Sequence, residues 1–235
     1  MRKYPIVALI YDFDGTLSPG NMQEFGFIQA IGKKPQEFWQ ESDEIAAGQD
    51  ASNILSYMKL MFDEAKKAGI KLRREDFKSF GASVELFKGV TEWFGLVNEY
   101  GKQRGVKVEH YINSSGLAEM IEGTSIAHEF KRIFACSFIY NKDGEAEWPG
   151  VAVDYTAKTQ FLFKINKGIL SVQDNKKVNA TANSIFAGVS FESNSGVAIK
   201  QTNGLLTLTL RASESVAKVD SCSKVESRSK LNKSR

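Results

Sequence analysis

The chain's 235 residues carry 42% hydrophobic and 25% charged side chains, ordinary globular values, with no internal repeat. These values exclude a chain disordered throughout, a repeat array or collagen-like sequence, and two full-sized domains, leaving one core domain with an insertion. The net charge of +3 is uneven: from Asn179 onward eight Lys/Arg face four acids, so residues 1–178 hold 23 bases against 24 acids and offer no basic stripe for nucleic acid.

In chain order, Pro5 to Tyr11 reads as a short buried strand, running into a turn built on Gly15, Pro19 and Gly20. Its apolar run, Ile6 to Tyr11, is closed by Asp12 and is too short for a bilayer span or a secretory signal, so a cytoplasmic protein with no membrane contact is expected. Helical stretches follow at Gln23 to Ile31, Pro35 to Ala47 and Ala51 to Ala68, the last with Ile54, Met58, Met61 and Phe62 forming an apolar stripe. A further helix starts after Gly89 and ends at Gly105. It feeds a strand at Val106 to Ile112. Phe134 to Tyr140 predicts a third strand, Asn141 to Gly144 a hairpin turn, Glu145 to Tyr155 its partner segment, and Thr159 to Asn166 a helix. Cys136 and Cys222 are too few for a disulfide framework or a zinc cluster and read as reduced thiols without a role.

The pattern predicts an α/β fold with a mainly parallel sheet. Residues 1–19 and 87–178 form its core, residues 20–86 an inserted helical cap, and residues 179–235 an atypical Ser/Lys-rich segment, partly disordered. The last segment holds eleven of the 22 serines but only two of the 26 aromatics, Phe186 and Phe191. A single hairpin through Gly204 and Leu205 to Leu210 is the most it is expected to form.

The sharpest chemical signal is Tyr11-Asp12-Phe13-Asp14-Gly15-Thr16-Leu17. Alternation along a strand sends Asp12 and Asp14 to one side and Phe13 to the other. Two carboxylates in one small volume repel unless a cation joins them, and aspartate oxygens suit Mg²⁺. Ligands of parallel α/β sheets bind beyond the carboxyl ends of strands, where this pair falls. The Gly15 and Thr16 amides are candidates for holding an anion there. Asp12 is therefore read as a nucleophile toward phosphorus, and Asp14 as the acid that protonates the leaving alcohol and then the base that deprotonates water.

DxDGT after a hydrophobic strand resembles the first motif of the haloacid dehalogenase (HAD) superfamily. The resemblance runs from Ile6 to about Asn179. It implies a Rossmann-like HAD core with an inserted α-helical cap, of the phosphoserine phosphatase-like branch. Leu86-Phe87-Lys88-Gly89-Val90 is similar to the return from such a cap, and Tyr111-Ile112-Asn113-Ser114-Ser115-Gly116 to the second motif. By that match Ser114 holds phosphoryl oxygens, helped by the Ser115 and Gly116 amides at the following helix start. The third motif is a lysine, and Thr156-Ala157-Lys158-Thr159-Gln160 makes Lys158 the candidate over Lys164 and Lys167. Dehalogenases of the superfamily lack the second aspartate, so Asp14 points to an Mg²⁺-dependent phosphatase, with Asp12 and Asp14 on the metal and a small phosphorylated metabolite as substrate. Met22, Gln23 and Glu24, just inside the cap, are substrate contacts at best and ordinary helix surface by default. The fourth motif, GDxxxD, is not found: in Ser184 to Ser193, Val189 and Ser193 stand where its carboxylates belong. The alternative is a catalytically impaired HAD-like domain that binds a phosphorylated ligand or partner without turnover. Neither reading sets an oligomeric state.

Overall fold

The computed structural model describes residues 4–175 and the backbone of three further strands, 185–192, 196–202 and 205–211. The strands form one sheet in the order β4-β3-β2-β1-β5-β7-β6. β1 (Ile6–Tyr11) is central, parallel to β2 (Lys107–Leu117) on one side and to β5 (Ile185–Glu192) on the other. β3 (Phe130–Tyr140) continues the parallel set beside β2, and β4 (Ala146–Val151) turns back antiparallel at that edge. At the other edge β7 (Leu205–Arg211) is parallel to β5 and antiparallel to β6 (Gly196–Thr202). The α/β class and mainly parallel sheet expected from the sequence are what the chain adopts.

β1 is buried along its last four residues, as an aliphatic strand covered on both faces must be. The β3–β4 turn closes through Gly144 N to Asn141 O (3.1 Å), while Asn141 Oδ1 accepts from the Asp143 and Glu145 amides. The expected hairpin chemistry thus forms. The tail forms more than the single hairpin expected: β6 pairs with β7, and β5 joins the sheet beside β1, its apolar residues in register with that strand; Gly204, Cys222 and Ser213 to Arg235 lie outside the described residues.

Between β1 and α5 (Val90–Gln103) the chain forms a 3₁₀ turn (Met22–Glu24) and four helices, α1 (Phe27–Ala30), α2 (Pro35–Gln49), α3 (Asn53–Lys67) and α4 (Arg74–Gly81). The single helix expected over Gln23 to Ile31 is two pieces broken at Phe25–Gly26, where Gly26 takes φ 120°. α4 is too short to announce itself by periodicity. It lies against α6 (Ala118–Gly123) closely enough that a Cβ at Gly123 would meet the Lys78 carbonyl oxygen at 2.0 Å. Phe77 on α4 stacks on Phe138 of β3 at 5.5 Å, a contact worth about 1 kcal/mol beyond area burial. Inside the helical group Phe27, Phe38, Trp39 and Tyr57 meet edge to face. α7 (Ala157–Asn166) covers the sheet with Phe161, stacked on Phe134, and Ile165. Among the described residues no helix is long and apolar enough to cross a membrane.

Candidate active site

The site is built where β1 ends. The loop after it folds onto one carbonyl: the amides of Thr16, Leu17 and Ser18 all donate to Phe13 O, at 3.1, 2.8 and 3.2 Å. The Thr16 amide is therefore spent on the turn and not offered to an anion, a correction to the sequence reading. Gly15 sits at the corner with φ 69°, where an L side chain is strained, and no bond from its amide occurs among the described residues.

Asp12 is partly exposed, and its Oδ2 meets Lys158 Nζ at 2.5 Å while its Oδ1 accepts from the Phe13 amide at 2.8 Å. Asp14 is partly buried, and its Oδ1 accepts from the Met22 amide at 2.9 Å. Burial pushes the Asp14 carboxyl up to about 7; the Met22 amide opposes this, the charges of Asp12 and Glu24 add to it, and Lys158 again opposes it. Two aspartates two residues apart thus occupy different environments: one faces outward against an ammonium, the other is enclosed and ready to carry a proton near neutrality.

Lys158 enters from the far side of the chain, at the second position of α7. Asp154 starts that helix, its Oδ1 accepting from Ala157 N (2.6 Å) and Thr156 Oγ1 (2.8 Å). The competing lysines go elsewhere. Lys164 Nζ is enclosed by the carbonyls of Val172 (2.8 Å) and Asp174 (2.9 Å) and by Asn175 Oδ1 (3.1 Å), and Lys167 lies over the Phe163 ring.

The second motif differs from expectation. β2 does not hand over to a helix at Ser115; it runs on irregularly, with register shifts between Asn113 and Leu117, and α6 begins at Ala118. The Ser115 and Gly116 amides therefore do not form a helix N-terminus, and the Gly116 amide donates to Ser114 Oγ at 3.0 Å. Ser114 is fully buried, and Gly116 lies against the second aspartate, where an added Cβ would stand 2.9 Å from Asp14 Oδ2 and 2.1 Å from Met22 Cε. What Gly116 supplies is clearance, by which Met22 seats beside Asp14.

The helical segment closes the site. Met22 and Gln23 are buried rather than helix surface, and Met22 Sδ accepts from the Leu117 amide at 3.1 Å. Glu24 Oε1 accepts from Asn21 Nδ2 and Trp39 Nε1, both at 2.8 Å. Tyr57 Oη donates to Ser115 O at 2.8 Å, and Cys136, a buried free thiol, donates to the same carbonyl at 3.2 Å. Sequence reasoning missed the roles of Tyr57, Trp39 and Asn113, since nothing local marks a side chain whose partner lies 58, 15 or 45 positions away. Asp154 was open to detection as an Asp-x-Thr helix start.

A metal at this place would find hard oxygen donors in Asp12 and Asp14. The described residues contain no group of three or more His, Cys, Asp or Glu side chains able to hold an ion. Two carboxylates suit Mg²⁺ in kind, because that ion keeps several waters and is often held by one or two carboxylates plus substrate phosphate. β5 runs beside β1 with Val189 opposite Tyr11, and Ser193 lies outside the described residues.

No protein-family model matches the chain. An uncharacterized protein of Borreliella burgdorferi is 30% identical over an alignment of 187 positions that covers 69% of this chain and 65% of that protein, so the match spans slightly less than two thirds of the relative. Among solved structures, a HAD family hydrolase of Salmonella enterica serovar Typhi superposes with a TM-score of 0.52 at 12% identity, over 81% of this chain and 58% of the other. A phosphoserine phosphatase with substrate bound gives 0.50 at 17% identity, over 81% and 80%. A probable phosphoserine phosphatase of Vibrio cholerae gives 0.50 at 12%, over 79% and 51%. The chain thus shares its fold with these HAD family hydrolase and phosphoserine phosphatase structures.

Proposed function

We propose that the chain is a phosphatase acting on a small phosphomonoester, with Asp12 as nucleophile. The observation that carries this is the Asp12–Lys158 contact across 146 residues, beside an enclosed Asp14 held near neutrality. Asp12 attacks phosphorus and the ester oxygen leaves, forming an aspartyl-phosphate; Asp14 supplies the proton to that leaving oxygen. Asp14, now ionised, takes a proton from water as the water attacks the phosphoryl group, and free Asp12 and inorganic phosphate result. Lys158 offsets the negative charge gathered on Asp12 and the phosphoryl oxygens, and we assign the Ser114 hydroxyl as a donor to those oxygens. Mg²⁺ held by the Asp12 carboxylate would supply further charge neutralisation when bound, leaving the Asp14 carboxyl to carry its proton. We assign residues 20–86 as the cap over this site, and residues 4–19 and 87–175, with strands β5 to β7 in the same sheet, as the core.

A second reading is favoured by one observation: GDxxxD is absent from the sequence, and among the described residues no group of three or more His, Cys, Asp or Glu side chains is arranged to hold an ion. Under it the chain holds a phosphorylated ligand without turnover. Hydrolysis of an aryl phosphate with and without Mg²⁺, with Asp12→Asn as control, separates the two. Metal-dependent turnover lost in the variant supports the phosphatase, whereas no turnover by a folded chain leaves the binding domain.

A further inference from the structure

β1 and β2 run parallel with Tyr11 opposite Ile112, so the next pair, Asp12 and Asn113, stand level at the sheet's rim on one face. Lys158 meets both. Its ammonium bonds Asp12, and its main-chain carbonyl accepts from Asn113 Nδ2 at 2.8 Å. One residue of α7 is thus tied to two adjacent strands, by its side chain to β1 and by its backbone to β2. Because a carbonyl accepts only from the amide's NH₂ end, this bond also sets which way the Asn113 side chain points. Asn113 is 5% exposed, and its Oδ1 has no partner among the described residues. A buried amide so incompletely bonded is costly compared with an aliphatic of the same size, such as its neighbour Ile112.

We infer that Asn113 is a positioning residue that fixes the first turn of α7 so that the Lys158 ammonium stays against Asp12 and a bound phosphoryl group. The inference rests on the phosphoryl-site reading proposed above. A lysine side chain is long and flexible, and holding its main chain removes one source of spread; a charged group misplaced by about 1 Å can cost about a hundredfold in rate. Asp154 caps the same turn from the loop before it, so the helix start is fixed both along its axis and against the sheet.

The test is binding of inorganic phosphate to the full chain with Mg²⁺ present, by calorimetry, in wild type, Asn113→Ala, Lys158→Ala and the double variant. Asn113→Ala is expected to weaken binding about tenfold alone and less than about twofold when Lys158 is already alanine, since the lost bond acts through that lysine. The phosphorus NMR shift of bound phosphate should move the same way in both single variants and no further in the double. Asn113→Leu keeps the volume without donor or charge and should behave like Asn113→Ala if the latter fails to fold. Additive losses, unchanged affinity in both Asn113 variants, or failure of both to fold would overturn the positioning role. No phosphate binding by wild type, or no loss in Lys158→Ala, overturns the phosphoryl-site reading itself and the inference with it.

Discussion

The two faces of the central sheet treat their polar groups in opposite ways. On the α5 face, Trp93 Nε1 donates to Tyr11 Oη (2.9 Å), Tyr11 Oη to His110 Nδ1 (2.8 Å), and His110 Nε2 to Asn98 Oδ1 (3.1 Å). The chain of bonds runs through the protein interior, and it assigns the proton to His110 Nε2. At the carboxyl rim, Ser18 Oγ, Gln23 Oε1 and Asn113 Oδ1 are buried without partners among the described residues, and Asp14 is held far from its ordinary range. Ser18 bridges to Asp14 by its backbone, and Gln23 follows the residue whose amide bonds Asp14. A closed network stabilises the fold, whereas unsatisfied groups cost stability and keep capacity for a ligand.

This contrast is open to attack at both ends. The largest effect is expected from Asp12→Asn at the rim: a loss of at least about a thousandfold in aryl phosphate hydrolysis with little change in thermal unfolding. Retained turnover would remove Asp12 as nucleophile. Next comes the pH dependence of the relay. Burial holds the His110 imidazole down to about 4, against an ordinary value of 6.5. The folded state resists that proton, so its contribution is whole above pH 6.5 and is lost as pH falls toward 4, about 3 kcal/mol in all. Denaturant unfolding at several pH values checks this: the acid-side loss should shrink in His110→Gln, and an unchanged profile would place the loss elsewhere.

Tyr11→Phe should cost about 1–3 kcal/mol, because Trp93 Nε1 and His110 Nδ1 both lose a partner in the interior, while phosphate affinity stays the same. A stable variant with weakened phosphate binding would invert the comparison and place function on the α5 face. The smallest effect is expected at the closure. Tyr57→Phe removes the one bond from α3 to Ser115 O and should cost about 1 kcal/mol, read as faster protease cleavage within residues 22–81 before global unfolding.

Much of this molecule was legible along the chain, for reasons specific to each element. β1 announced itself because an aliphatic run covered on both faces must be continuously apolar, and Asn141 to Gly144 because a tight turn demands those residue types. Asp12 and Asp14 were legible as a pair because strand periodicity alone places them on one side. α4 was not, since eight residues make barely two turns, and neither was the break at Gly26 nor the continuation of β2 through Gly116. Ser115 and Gly116 looked like a helix start because Ser-Ser-Gly suits a cap; the bulged strand won because the Gly116 amide finds Ser114 Oγ and the missing Cβ admits Met22. Thr16 failed as an anion donor because Phe13 O gathers the amides around it.

The amino-acid sequence by itself determined the class of fold, the central strand and the two carboxylates at its end, because each follows from short-range periodicity and backbone sterics. Only the tertiary structure decided which lysine meets Asp12, which aspartate is enclosed, and which helix residues close over them. Those choices depend on groups brought together from 8 to 146 positions apart, and on the desolvation that only packing creates.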